Sequence, residues 1–227
     1  MLYPIIPARA GSSLVDKNLR LWLREDGPPV PLITLAVEKL LRVFQACYVL
    51  TDSPKIAEVA AKAGACIPYL DINIDGKEDV TSTLRRFSAT LGGKEQGQRI
   101  LLHQCTSPQT SVETLERARS LVTTLQPEEI LISVCEEPHK ATAFFFSSHD
   151  EALTAAIPGL PAPTYPRQML PKLYRYTGAI TCLPLSSLSK SSFFNEHILR
   201  PLLVPEAESL DIDRESDFLH RTAGSSV

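Results

Sequence analysis

Apolar residues come along this chain in short runs separated by polar or proline-rich breaks. Leu2 to Ile6 is the first run, ended by Pro7-Ala8-Arg9-Ala10-Gly11-Ser12-Ser13. Runs this short and this apolar read as buried strands. Cys47 to Leu50, Ile67 to Leu70, Arg99 to His103 and Ile130 to Val134 repeat the pattern. Between them, Leu32 to Val43 carries apolar residues at helical spacing, and Lys55 to Ala63, Val80 to Leu91 and Val112 to Leu125 read as further helices. Thr51-Asp52-Ser53-Pro54 has the character of a helix start, with Asp52 or Ser53 as the cap and Pro54 in the first turn. Gly64 stands where that helix should end.

The second half is patterned differently. Ala141 to Phe146 and Tyr174 to Leu183 predict strands, Leu199 to Val204 is apolar, and Leu160 to Pro171 is proline-rich. Asp211-Ile212-Asp213 opens a last helix running to about His220, and Thr222 to Val227 should fray. Strand and helix in alternation predict an α/β fold, a mostly parallel sheet with helices on its faces. Such sheets bind ligands in the crevice beyond the carboxyl ends of the strands. Chemistry is therefore to be sought in Arg9 to Lys17, Thr51-Asp52, Gln104 to Pro108 and Glu136 to Lys140.

Composition narrows the class. The 227 residues are 44% hydrophobic and 22% charged, as in an ordinary folded domain. No apolar run approaches the roughly 18 residues of a membrane span, and Met1 to Pro7 lacks the basic stretch of a signal peptide. A net charge of −3 leaves no basic excess for nucleic acid. The 5 cysteines (Cys47, Cys66, Cys105, Cys135, Cys182) contain no CxxC, which fits reduced thiols and a cytoplasmic location.

Three loops carry candidate chemistry, each beside a plainer reading. The Gly/Ser turn after Arg9 can cradle an anion on its backbone N–H groups, with Arg9 and Lys17 adding charge, or it is an ordinary loop with solvated side chains. In Gln104-Cys105-Thr106-Ser107-Pro108, the glutamine amide pairs a donor with an acceptor, as a base edge requires. Alternatively Thr106 to Pro108 simply start the next helix. Asp211 and Asp213, two apart in an extended segment, point the same way and can meet one divalent cation, or Asp213 caps the final helix with Glu215 and Asp217 in its first turn. Phe193-Phe194 reads as core or contact surface.

In order and register, these pieces resemble the acylneuraminate cytidylyltransferases. The resemblance runs through Ile5 to Ser12 with Lys17-Asn18, Pro31-Leu32-Ile33, Thr51-Asp52, Gln104 with Thr106-Ser107-Pro108, Arg167 to Pro171, Tyr174-Arg175, Gly178-Ala179-Ile180 and Asp211-Ile212-Asp213. It implies one nucleotide-diphospho-sugar transferase domain over 1–227, Rossmann-like, with about 139–175 forming a projecting dimerisation arm. It implies a homodimer and transfer of CMP from CTP, with Mg²⁺, to the anomeric hydroxyl of a nine-carbon 2-keto sugar acid. By position, Arg9 and Lys17 would hold the triphosphate, within a nucleotide site of Ala8, Arg9, Gly11, Ser12, Lys17, Asn18, Ser82 and Gln104. Gln104 would read cytosine and reach the sugar. Asp211 and Asp213 would bind the metal. Gln168, Arg175, Thr177, Phe193 and Phe194 would line the sugar pocket, with Lys140 and Arg167 reaching into the neighbouring subunit.

The chain departs from the family pattern at four places. Ser13-Leu14 stand where a cation and a glycine are usual, and the loop is one residue shorter. Cys105 replaces a proline, Gln109-Thr110 replace an arginine, and Thr177 replaces an asparagine. Two alternatives therefore stand beside this expectation. One is an enzyme for an eight-carbon acid such as Kdo; the other is a binding protein that keeps the fold without turnover.

Overall fold

The computed structural model describes residues 1–10, 14–24, 27–70, 80–92, 97–137, 145–147, 153–155, 166, 168, 170, 172–189 and 197–219. In chain order the elements are β1 (Leu2–Pro7), β2 (Leu21–Arg24), β3 (Gly27–Pro31), α1 (Leu32–Val43), β4 (Tyr48–Leu50), α2 (Pro54–Lys62), α3 (Val80–Thr90), β5 (Arg99–His103), α4 (Val112–Val122), β6 (Glu129–Glu137), β7 (Phe145–Ser147), β8 (Leu153–Ala155), β9 (Leu173–Pro184), β10 (Ile198–Leu203) and α5 (Glu215–Leu219).

Among the described residues, one sheet runs β10-β6-β9-β5-β1-β4. β1 lies parallel to both β4 and β5, and β10 parallel to β6. β9 is antiparallel to both of its neighbours, β5 and β6. The α/β, mostly parallel architecture expected from the sequence is the one observed. α1, α2 and α4 cover one face, where Ile33, Val37, Leu40, Ile56, Ala60, Leu115 and Ala118 meet Ile6, Val49, Leu101 and Leu131. α3 covers the other, where Leu84 and Phe87 pack on Tyr3, Ile5, Ile100, Leu102 and Leu183.

Local chemistry explains the element ends. Ser53, not Asp52, caps α2: its hydroxyl accepts the Ile56 amide at 3.3 Å, with Pro54 in the first turn. Gly64 follows at φ +101°, a left-handed conformation that a side chain would strain. Ser111 caps α4 through the Thr114 amide at 3.0 Å, so Thr106 to Pro108 are free of helix duty. α4 ends at Val122, short of the expected Leu125, where the Thr123 and Thr124 hydroxyls donate to the carbonyls of Ser120 and Leu121. Ile67 to Leu70 forms no strand of its own and only touches the sheet at the bridges Tyr48–Cys66 and Thr51–Leu70. The β2–β3 ribbon was not expected, because its second strand carries Pro28, Pro29 and Pro31, which demote a strand to an edge position. In the expected arm, β7 and β8 pair as a separate antiparallel ribbon. Among the described residues no helix is long and apolar enough to cross a membrane.

His103 ends β5 with its ring fully buried and its Nδ1 3.0 Å from the Ala179 carbonyl. Burial lowers its pKa from 6.5 to about 4, against the pull of that carbonyl. The unfolded chain takes up this proton below pH 6.5, the folded chain only near pH 4. Stability should thus fall as pH drops through that window, by about 2 kcal/mol from pH 7 to pH 5. Urea unfolding of the protein and of His103→Gln at both pH values reads this share; an equal pH slope in the two would show that His103 contributes none.

Candidate active site

Three loops meet above the carboxyl ends of β1 and β5. The first follows β1. The Ala8 amide donates to the Leu50 carbonyl at 2.9 Å, prolonging the β1–β4 pairing past Pro7. The next side chain, Arg9, reaches the Thr83 hydroxyl of α3 at 3.3 Å. Asp52, spared from capping α2, accepts the Ala10 amide at 2.8 Å and holds the start of the loop. The loop returns through a 3-10 turn, Lys17–Leu19, entered by Asp16 at φ 50°. That turn sends Lys17 and Asn18 inward, and both are buried. The Asn18 amide nitrogen donates to the Arg9 carbonyl at 2.9 Å, and its oxygen accepts the Cys105 thiol at 3.1 Å. Burial pushes that thiol up to about 12, so it stays protonated and able to donate.

The second loop follows β5. The Gln104 amide donates to the Ala179 carbonyl at 3.1 Å, so β9 sets its position. Its side chain is half-buried, and among the described residues no hydrogen bond holds the side-chain amide. From behind, Lys39 donates to the carbonyls of Pro108 and Thr110, at 2.6 and 2.8 Å.

The third piece is Asp211-Ile212-Asp213. Ile212 is fully buried against Trp22, Leu32 and Leu35, and its amide donates to the Thr106 carbonyl at 2.9 Å. With the middle residue anchored inward, both flanking carboxylates face outward from that core. Lys17 Nζ donates to the Ile212 carbonyl at 2.8 Å and meets Asp213 Oδ1 at 3.1 Å. Burial raises the Asp211 pKa, helped by the charges of Asp213 and Asp217 and opposed by Thr106 and Lys17. Asp217 reaches back to accept the amides of Asp213 and Arg214, at 2.8 and 2.7 Å, which fixes the entry to α5. Arg20 grips Glu215 through both guanidinium nitrogens and lies 4.0 Å over the Phe218 ring.

Ala8, Arg9, Lys17, Asn18, Gln104, Asp211 and Asp213 are thus brought together, with Ser82 on α3 next to Thr83, the hydroxyl that Arg9 bonds. Asn18 spends its amide on holding the loop. Arg175, exposed on β9, bonds Ser209 Oγ at 3.2 Å and pairs with Glu137 at 3.5 Å; Gln168 is exposed. The structure does not bring the Thr177 side chain to the crevice. Thr177 is buried in the sheet with its hydroxyl 2.7 Å from Ser133 Oγ, at the register shift between β6 and β9. Gly11, Ser12, Lys140, Arg167, Phe193 and Phe194 lie outside the described residues. Asp52, Thr83 and Thr106 also belong to the site. Asp52 had a signal in the sequence: beside Ser53-Pro54, α2 has no need of a second cap.

A family model described as cytidylyltransferase matches residues 4–153. The chain belongs to this family. Among curated cytidylyltransferase relatives, the N-acylneuraminate cytidylyltransferase of Streptococcus agalactiae is 28% identical over 220 residues, 95% of this chain and 51% of that protein. This chain therefore spans about half the length of that relative. The CMP-N,N'-diacetyllegionaminic acid synthase of Legionella pneumophila is 26% identical over 219 residues, 94% of this chain and 91% of that protein. These relatives bear out the resemblance read from the sequence. Among solved structures, a CMP-2-keto-3-deoxy-manno-octonic acid synthetase complexed with CTP superposes with a TM-score of 0.65 at 16% identity, covering 97% of this chain and 96% of that one. A 4-diphosphocytidyl-2C-methyl-D-erythritol synthase from Anaerococcus prevotii gives 0.63 at 14% identity, covering 98% and 94%. At these identities the likeness establishes the fold.

If Lys17 ties the first loop to the third, removing its ammonium should loosen the third. Lys17→Met deletes two contacts to a charged donor, each contributing about 1.5–3 kcal/mol. The Ile212 amide should then exchange with solvent about tenfold faster or more, since 1.4 kcal/mol is a factor of ten. Hydrogen exchange on both proteins checks this, and unchanged exchange at Ile212 would show that the tie is idle.

Proposed function

We propose that this chain transfers CMP from CTP to the anomeric hydroxyl of a sialic-acid-like nine-carbon 2-keto sugar acid, of neuraminic, legionaminic or pseudaminic type, with release of pyrophosphate. The observation that carries the reading is the convergence of the cationic loop after β1, the Gln104 amide and the Asp211–Asp213 pair at one end of the sheet. Membership of the cytidylyltransferase family supports the nucleotide. The sequence relatives named for neuraminate and legionaminate support the sugar class.

In this reading Arg9 and Lys17 receive the triphosphate, beside the Gly11-Ser12 backbone and Ser82, and Gln104 pairs with the cytosine edge. The sugar lies toward Arg175 and Gln168, with Phe193 and Phe194 lining its pocket. Lys140 and Arg167 come from the partner of a homodimer. The hydroxyl oxygen forms its bond to the α-phosphorus while the bond from the α-phosphorus to the oxygen bridging to the β-phosphorus breaks, and pyrophosphate leaves with that electron pair. One of the two carboxylates, Asp211 or Asp213, helps take the hydroxyl proton. The enzyme's task is otherwise to align the reactants and neutralise charge on the phosphate oxygens.

Mg²⁺ fits the donor set. Asp211 and Asp213 offer hard oxygens on one side of an extended segment, and the crowding of Asp213 and Asp217 on Asp211 is relieved by a divalent cation. These two carboxylates would hold it, and when bound it neutralises charge on the phosphates.

Pyrophosphate release should require CTP, Mg²⁺ and one of the nine-carbon acids, with UTP, ATP and GTP inactive. Release with Kdo alone would move the substrate to the eight-carbon acids, and no release from folded protein would favour a binding role. Asp211→Asn should cost about 100-fold or more in kcat, on the scale of losing one preorganised charge-stabilising group. Full Mg²⁺-dependent activity in that variant would refute the metal assignment. Gln104→Ala should shrink the preference for CTP over UTP by about tenfold, the loss of a hydrogen-bonded readout; an unaltered preference would place base reading elsewhere.

A further inference from the structure

Cys105 stands next to Gln104 and has no part in the steps above, yet its thiol begins a chain of contacts that ends in the phosphate loop. β5 ends at His103, and beyond it Cys105 turns into the core cluster that Leu101 also joins, under α1, α2 and α4. There Sγ donates to Asn18 Oδ1 at 3.1 Å, and Asn18 Nδ2 donates to the Arg9 carbonyl at 2.9 Å. Both side chains are buried. The Asn18 amide offers an oxygen on one side and a nitrogen on the other. With a thiol donor facing one side and a carbonyl facing the other, one orientation satisfies both. Turned over, the amide would set its oxygen against the Arg9 carbonyl.

The group held at the far end is a peptide plane. The Arg9 carbonyl and the Ala10 N–H belong to one rigid unit and point to opposite sides of the chain. Asn18 grips the carbonyl, and Asp52 accepts the N–H at 2.8 Å. Clamped on both sides, the plane cannot turn, and it sets the root from which the Arg9 side chain reaches Thr83. Asp52 fastens that plane to the end of β4. Asn18 fastens it to Cys105, and so to Gln104, whose own amide is fixed on the Ala179 carbonyl. The base-reading amide and the phosphate-binding cation are therefore joined by a continuous line, Gln104–Cys105–Asn18–Arg9. The proline usual in the family at position 105 has no donor for such a line, and the loop braced here is the one that is a residue shorter.

We infer that Cys105 is a positioning residue for the triphosphate: its thiol orients the Asn18 amide, which holds the Arg9–Ala10 peptide at the distance from Gln104 that one CTP molecule spans. This rests on the proposed transferase reaction and adds to it the residue that couples base recognition to phosphate recognition.

The test titrates CTP with Mg²⁺, and separately cytidine, into the full chain, Cys105→Ala and Cys105→Ser. Cys105→Ala should weaken CTP binding about three- to tenfold, the worth of one neutral hydrogen bond. Cytidine has no phosphates, so its affinity should be unchanged, as should the KM for the sugar acid. Cys105→Ser keeps a donor and should restore most of the CTP affinity. The contact is also read without a ligand. The S–H stretching band that Cys105→Ala removes from the infrared spectrum should lie below that of an unbonded thiol, and Asn18→Ala should shift it up. Should the alanine variant fail to fold, Cys105→Val fills the space without a donor and takes its place. Unchanged CTP affinity, equal losses for CTP and cytidine, or a band at the unbonded frequency overturns the role of Cys105 while leaving the transferase reaction standing. No pyrophosphate release by the parent protein with any sugar acid removes that reaction, and the role of Cys105 with it.

Discussion

A buried ammonium organises this molecule. Lys17 sits inside the protein, where a lone charge is costly, and is accommodated by the Ile212 carbonyl and the Asp213 carboxylate. The partners lie 195 and 196 positions away in sequence. Ile212 cannot follow the cation elsewhere, because its side chain is locked between Trp22, Leu32 and Leu35. One interaction thus fixes the cationic loop, the carboxylate pair and the distance between them. The same ammonium also lessens the repulsion around Asp211, whose neighbours Asp213 and Asp217 both oppose its ionisation.

Around that point, polar side chains are spent on loop backbones so that other side chains stay available. Asn18 holds the Arg9 carbonyl, Asp52 holds the Ala10 amide and Lys39 holds two carbonyls behind the Gln104 loop. Cys105 orients Asn18, so the thiol that replaces the family's proline takes part in the packing of the first loop. A site assembled this way is preorganised by groups that touch no substrate.

The strands of the parallel core and the helices over them were legible because buried parallel strands are apolar throughout and surface helices keep a periodic stripe. The prolines of β3 hid the β2–β3 ribbon, and an apolar run such as Leu173–Pro184 carries nothing that tells its direction. At the site, the motif order pointed to Arg9, Lys17, Gln104 and the two aspartates. It could not separate Thr177, whose hydroxyl the Ser133 bulge absorbs, from a residue facing the crevice.

Among the described strands, β9 is the only one whose backbone pairing joins the β4-β1-β5 group to the β6-β10 pair. Until it is inserted, β5 and β6 each present an open edge, and no strand pairing joins the two halves of the sheet. β9 begins at Leu173, so β1, β4, β5 and β6 are all made before the sheet can close. Closure is then a long-range event that pairs β9 with strands made much earlier, the kind of step that is slow and exposes aggregation-prone edges meanwhile. The strand that aligns Gln104 with the carboxylates is thus also the one whose arrival makes the sheet continuous.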